Sequence, residues 1–222
     1  MQIEDLPQYI ELPESLTLDE NSGNLLITDR LKNTNIHVKE NTNATIVAFL
    51  EKGHQENKIL NFHLEGKNST LNFLTFIIAK NEDNFPFETI SHHTTTNTNA
   101  YYYIRAAQFD KSKVNYTGML KIHPGAQETD SYLAHNTLML SKQAKTNTTP
   151  SLEIEADDVA AGHAATMGRV DEELLFYLQS RGISKQEAKH MLIKGFMQAE
   201  LSKIPNEEVR TLLSEKIEQA VC

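Results

Sequence analysis

The sequence predicts a mainly β fold followed by a small C-terminal helical segment, and three observations carry this. From about Gly23 to Ala156, apolar and polar residues alternate in short, evenly spaced runs, the period-two signature of strands with one buried face. Polar corners rich in Asn and Thr separate the runs, with almost no helix-forming stretch between them. Beyond about residue 170 the apolar spacing changes to three and four residues and stays there.

Taken in order, the strand signals begin with Leu25/Ile27, Ile36/Val38 and Ile46/Ala48/Leu50. The longer, mostly apolar run from Leu71 to Ala79 reads as a strand buried on both faces. Tyr101-Tyr102-Tyr103-Ile104 is aromatic and strand-prone, and Val114/Tyr116/Gly118/Leu120/Ile122 alternates again. Leu152, Ile154 and Ala156 then alternate with Glu153, Glu155 and Asp157. Corners fall at Lys32–Asn35, Glu40–Asn43 and Glu65–Ser69.

Two architectures fit, an antiparallel sandwich or barrel and a parallel β-solenoid. The absence of Asn-Gly and Asp-Gly counts against many two-residue hairpins. Asn and Thr at corners suit a solenoid, where stacked side chains form polar ladders. No strict internal repeat is present, so periodicity leaves both architectures open.

The helical third is well punctuated. Asp171 caps a first helix, with Glu172 and Glu173 at its positive end and Leu174, Leu175 and Leu178 on its apolar side. Gly182 supplies a C-terminal stop. Ser184-Lys185-Gln186-Glu187 has capping-box spacing and opens a second helix with Ala188, Met191, Leu192, Phe196 and Ala199 on its apolar face. Pro205-Asn206-Glu207-Glu208 starts a third, with Val209, Leu212, Leu213 and Ile217 on one side. The first two stripes are expected to dock on the β-core. The third has little left to cover and is expected to bind a partner. The chain thus divides into residues 1–170, a β core, and 171–222, a helical subdomain.

Composition bounds the function. A net charge of −9 argues against nucleic acid as a main partner, since phosphate binding needs clustered cations. No apolar run approaches the ~20 residues that span a bilayer. The start Met1-Gln2-Ile3-Glu4-Asp5 has neither a basic region nor an apolar one, so a cytoplasmic protein is expected. The single cysteine, Cys222, allows no internal disulfide and no CxxC motif. No GxSxG, HExxH, P-loop or dinucleotide fingerprint is present. The adjacent carboxylates Asp157 and Asp158 are the best basis for an enzyme reading, a carbohydrate-active solenoid, although such pairs must converge from different strands.

Among the histidines, His92-His93 sit beside a Thr run and read as a solvated pair facing opposite ways. His123 precedes Pro124-Gly125 and reads as a strand end entering a turn. His163 is the first candidate for chemistry. It lies in Ala160-Ala161-Gly162-His163-Ala164-Ala165-Thr166-Met167-Gly168-Arg169, where small neighbours leave room for close approach at the junction of strands and helices.

That segment, with Pro150–Val159, Phe176-Tyr177-Leu178, Ser180-Arg181-Gly182-Ile183, Gly125–Asp130, Leu138–Ser141 and Gly195-Phe196, resembles the SufB/SufD family of iron–sulfur cluster assembly proteins, most closely the SufD branch. The resemblance is specific from about Tyr101 to Leu201. It implies a right-handed parallel β-helix core followed by helices. It also implies a non-enzymatic scaffold that pairs with a SufB-type protein and the ATPase SufC, with SufC docking at the helical end. His163 matches a family histidine near the SufB–SufD interface, which makes it a candidate iron or cluster ligand opposite a partner thiolate. A protein with one thiol is expected to hold no stable cluster alone, only a transient one in the complex. His135 lies where the SufB branch carries a cysteine implicated in assembly, and the missing thiol there favours the SufD branch. The family's N-terminal helical domain has no counterpart long enough here, so the chain reads as a short form, a fragment or a minimal homologue. A solenoid end needs a cap, and Ile3 to Leu12, with Leu6, Tyr9 and Ile10, is expected to fold over it. The alternative to an assembly scaffold is a homodimeric β-solenoid binding module.

Overall fold

A computed structural model of the chain describes residues 3–22 and 25–221. Met1-Gln2, the expected start of the strand region at Gly23, and the lone thiol of Cys222 lie outside the described residues. Strands β1 (Ser15–Leu18), β3 (Thr34–Val38), β5 (Lys58–Leu64), β7 (Asn84–His93), β9 (Lys113–Ile122) and β11 (Lys145–Ile154) form one sheet in that order. Strands β2 (Leu25–Thr28), β4 (Asn43–Leu50), β6 (Ser69–Ala79), β8 (Thr98–Gln108), β10 (Thr129–Met139) and β12 (Val159–Arg169) form the other. Each strand pairs in parallel with the strand two places on in sequence. Hairpins would place successive strands antiparallel in one sheet, so the sandwich and barrel readings are excluded. The fold is a parallel β-solenoid of two facing sheets.

Alternation sends one side chain in two into the lumen. Ile36, Phe62, Phe73, Tyr102, Tyr116 and Leu133 meet there in one buried cluster. The coils lengthen along the chain. Leu25 aligns with Thr45, a step of 20 residues, Ser69 with Thr98, a step of 29, and Lys113 with Lys145, a step of 32. A drifting step erases any strict repeat while leaving the stack intact. At one corner Asn41, Asn68 and Asn97 all have φ between 54° and 58°, the left-handed region that Asn tolerates better than other non-glycine residues. Their amides form a ladder, Asn68 Nδ2 donating to Asn41 Oδ1 at 3.2 Å and Asn97 Nδ2 to Asn68 Oδ1 at 2.6 Å. The Asn-rich corners therefore do what their composition predicts.

The N-terminal end is covered as expected. A 3-10 turn at Ile3–Asp5 buries Ile3, and Leu6 and Leu12 are buried after it. Tyr9 bridges Ile27, and Ile10 N and Gln8 O bond across the edge of β2, each at 2.8 Å.

Helices α1 (Glu172–Ser180), α2 (Lys185–Leu201) and α3 (Glu207–Val221) follow β12. Asp171 accepts from the Glu173 and Leu174 amides, and Ser184 and Glu187 form the predicted capping box. Asn206 Oδ1 accepts from Val209 N at 3.0 Å, and Gly182 reverses the chain with φ +87°. Docking, however, differs from expectation. α2 and α3 pack on the outer face of the even-numbered sheet, against Val47, Phe49, Leu74, Phe76 and Ile78. This second burial explains why Leu71–Ala79 reads as apolar on both faces.

The stripe expected to serve a partner is corrected by this packing. Val209, Leu212, Leu213 and Ile217 are all buried in that cluster, because the wide apolar sheet leaves room for α3 beside α2. The buried face of α2 is also rotated from its predicted one, with Ala188, Ile193, Met197 and Leu201 inward and Met191 exposed. α1, expected to dock, buries only Leu175 and is packed chiefly on α2.

Candidate functional site

Among the described residues strand β12 is the last rung of its sheet and pairs only with β10. Its far edge is open along its length, and β11 is likewise the open rung of the facing sheet. Aligned residues in a parallel stack point the same way, so register assigns the β12 side chains. His163 lies over Leu133, which lies over Tyr102, and both of those are buried in the lumen. His163 therefore occupies a lumen-facing position in a coil that no further coil covers, and it is exposed. Ala161, Ala165 and Met167 share that direction above buried Ser131, His135 and Thr137. Leu152 and Ile154 do the same on β11 above Leu120 and Ile122.

The open end is thus a shallow apolar floor around one imidazole, with Leu152, Ile154 and Met167 exposed at 36%, 42% and 49%. These three were missed from sequence as site residues. The alternation of Leu152 and Ile154 reads as a strand with one buried face, and nothing in one sequence tells a covered coil from an uncovered one. β12 itself was also missed as a strand, because Ala, Gly and Thr give it no alternation. The two open edges differ. β11 carries Pro150, which has no N–H to offer and blunts that edge, whereas β12 has no proline and only small side chains around His163.

The other sequence candidates resolve differently. His92 and His93 do face opposite ways, but as strand residues at the end of β7. His93 is fully buried, so the solvated reading is corrected for it. Its Nδ1 meets Thr98 Oγ1 at 2.8 Å, and its Nε2 meets Ser91 and Ser131 Oγ, each at 3.2 Å. Burial pushes its pKa down to about 3. His135 is buried one coil below the open end, between Thr148 at 2.6 Å and Thr137 at 3.2 Å, and burial pushes it down to about 4. Both are neutral, hydrogen-bonded lumen residues. His123 follows the last residue of β9 at a turn, as read. Asp157 and Asp158 lie in the exposed turn after β11 rather than on a strand. Among the described residues no three His, Cys, Asp or Glu side chains converge as a metal centre. No described helix is long and apolar enough to cross a membrane.

On the helical side, α1 leaves Leu174, Phe176 and Tyr177 exposed, Phe176 at 74%. The helices are tied to the sheet by Arg105 of β8, whose Nε and Nη2 donate to Glu200 Oε1 at 3.1 and 2.7 Å. The same guanidinium lies 4.7 Å from the Phe196 ring centre, a cation–π contact.

Residues 18–196 match the family model described as SUF system FeS cluster assembly, SufBD core domain. The chain is 35% identical over 145 residues to the iron–sulfur cluster assembly protein SufD of Escherichia coli, covering 65% of this chain and 34% of that protein. It is 35% identical over 147 residues to SufD of Bacillus subtilis, covering 66% and 34%. A SufBD family protein of Mycobacterium leprae is 42% identical over 104 residues, covering 46% and 26%. The matched region spans about a third of the length of the two SufD proteins.

Proposed function

The chain belongs to the SufBD core-domain family of the SUF iron–sulfur system, and from that premise we propose that it is a SufD-like scaffold subunit in iron–sulfur cluster assembly. In this reading it pairs with a SufB-type scaffold, works with a SufC-type ATPase in the cytoplasm, and has no turnover of its own. The observation that carries the reading is the uncovered end of the solenoid. An unblunted strand edge is a template for another chain's strand, and β12 presents one with His163 at its centre. Small residues around His163 let a partner backbone approach closely. Its neutral imidazole can ligate iron opposite a partner thiolate, and as imidazolium it can hold that thiolate ionised. The cluster is cargo shared between chains, because Cys222 is the only thiol this chain supplies.

The ATPase-docking surface in this reading moves from the buried α3 stripe to α1, where Leu174, Phe176 and Tyr177 stand exposed. A second copy of the chain also fits the open edge, which keeps the homodimeric binding module as the competing reading. Asp157 and Asp158 sit side by side in one exposed turn rather than on different strands, which gives the carbohydrate-active reading no support.

Capture of tagged protein from its own cell extract tests the assignment. SufB-like and SufC-like proteins should co-purify, and a purely self-associated species would favour the homodimer instead. His163→Ala should keep the mixed complex and its thermal unfolding yet impair cluster formation on anaerobic reconstitution. Cluster formation at the wild-type rate would remove His163 from the mechanism. Phe176→Asp with Tyr177→Asp should abolish ATPase binding, and unchanged binding would place that surface elsewhere.

A further inference from the structure

A column of side chains on the odd-numbered sheet takes no part in the site at the open end. His37 on β3, His63 on β5 and His92 on β7 are aligned in register. Their rings stack with centres 4.8 and 5.0 Å apart and planes within 12° and 7° of parallel. His123, just past β9, extends the column at 6.1 Å. All four are partly exposed. Stacking the coils does not require imidazole, since Asn35 and Asn61 form an ordinary amide rung on the same two strands at 3.2 Å.

Imidazole is the commonest metal ligand of the side chains, and consecutive coils here bring its rings together in one column. The first rung also has the outer partner that metal-bound histidines usually have. Glu65 Oε1 lies 2.9 Å from His37 Nδ1, and Lys39 holds the other carboxylate oxygen. When Nδ1–H donates to that carboxylate, the His37 ring is fixed with the Nε2 lone pair free. Bonds of about 2.0–2.1 Å to one ion put two ligating nitrogens at most about 4 Å apart. The rings are stacked face to face with centres near 5 Å, so binding needs the two rings to turn about their side-chain torsions until their in-plane lone pairs converge on the ion, a movement open to partly exposed rings.

We propose that this histidine ladder is a surface site for one borderline divalent transition-metal ion of the zinc, nickel or copper class. The ion is held by His37 and His63, with Glu65 orienting His37 and water completing the shell. His92 is the neighbouring rung onto which the ion can step by exchanging one imidazole for the next. The site lies on the lateral wall of the solenoid, separate from His163, and does not rest on the assembly role.

The test uses the purified wild-type chain at neutral pH. Substoichiometric Cu²⁺ should broaden the ring-proton NMR signals of His37 and His63 first, before those of His54, His163 and His190. Zn²⁺ competition against a chromophoric chelator should show affinity falling about tenfold or more in His63→Gln, since even outer-partner losses cost that much. His190→Gln should leave it unchanged, and partner capture by His63→Gln should be intact. Broadening that begins at His163 or His190, or zinc affinity unchanged in His63→Gln, overturns the proposal. Should His63→Gln fail to fold, the order of broadening in the wild type decides.

Discussion

Acid should loosen this protein well before its carboxylates titrate, because two histidines are locked neutral in the lumen. His93 and His135 have folded-state pKa values pushed down to about 3 and about 4 by burial, against about 6.5 in the unfolded chain. Between these limits the unfolded state binds a proton at each site and the native state does not. Unfolding free energy therefore rises with pH and falls on acidification, by about 1.4 kcal/mol per pH unit for each group. From pH 6.5, where each unfolded-state histidine is already half protonated, to pH 5 the two together remove about 3 kcal/mol, a large part of a typical stability of about 5–15 kcal/mol. Urea unfolding followed by circular dichroism at half-unit steps measures the slope. His135→Gln keeps hydrogen-bonding capacity toward Thr137 and Thr148 but cannot take up the proton. It should lower the mean slope by about 1 kcal/mol per unit in this window. A stability that is flat from pH 6.5 to 5, or a His135→Gln slope equal to wild type, would refute the reasoning.

Further outcomes follow from packing. Arg105→Met leaves the Glu200 carboxylate, 5% exposed, without its main partner and should cost about 3–5 kcal/mol in urea unfolding, with Glu200→Leu in the same chain restoring most of it. Loss below 1 kcal/mol would mean that water or Lys203 compensates. Gly66→Ala would put a Cβ 1.9 Å from Glu40 N, where only backbone could yield, and should lower the melting temperature sharply. Gly168→Ala, with nothing within 4 Å, should leave it unchanged. Leu213→Asp should unfold the helical face from the sheet, whereas Phe176→Asp should be neutral in thermal unfolding; the opposite order would contradict the assignment of α3 as inner and α1 as outer.

What the sequence determined by itself was local. Alternation located β2, β3, β4, β9 and β11, since a strand with one buried face must alternate whatever it pairs with, while an apolar run marked β6 and an aromatic stretch β8. Asp171, Ser184 and Glu187 marked helix starts because capping is settled within four residues. The family wording around His163 was legible as a string, and that string led to the right fold. Pairing direction was not legible, because parallel and antiparallel strands share one period and the coil step drifts from 20 to 32 residues. Nor was the fate of the apolar stripes. Val209, Leu212, Leu213 and Ile217 have the same spacing whether they meet a partner or their own sheet, and only the stacked width of the even-numbered strands decided that they turn inward. The histidine column makes the same point across a longer distance. His37, His63 and His92 are separated by 26 and 29 residues, and only the register of three coils brings their rings together. Spacing along a chain encodes which face a residue takes; what stands opposite that face is fixed by the stack.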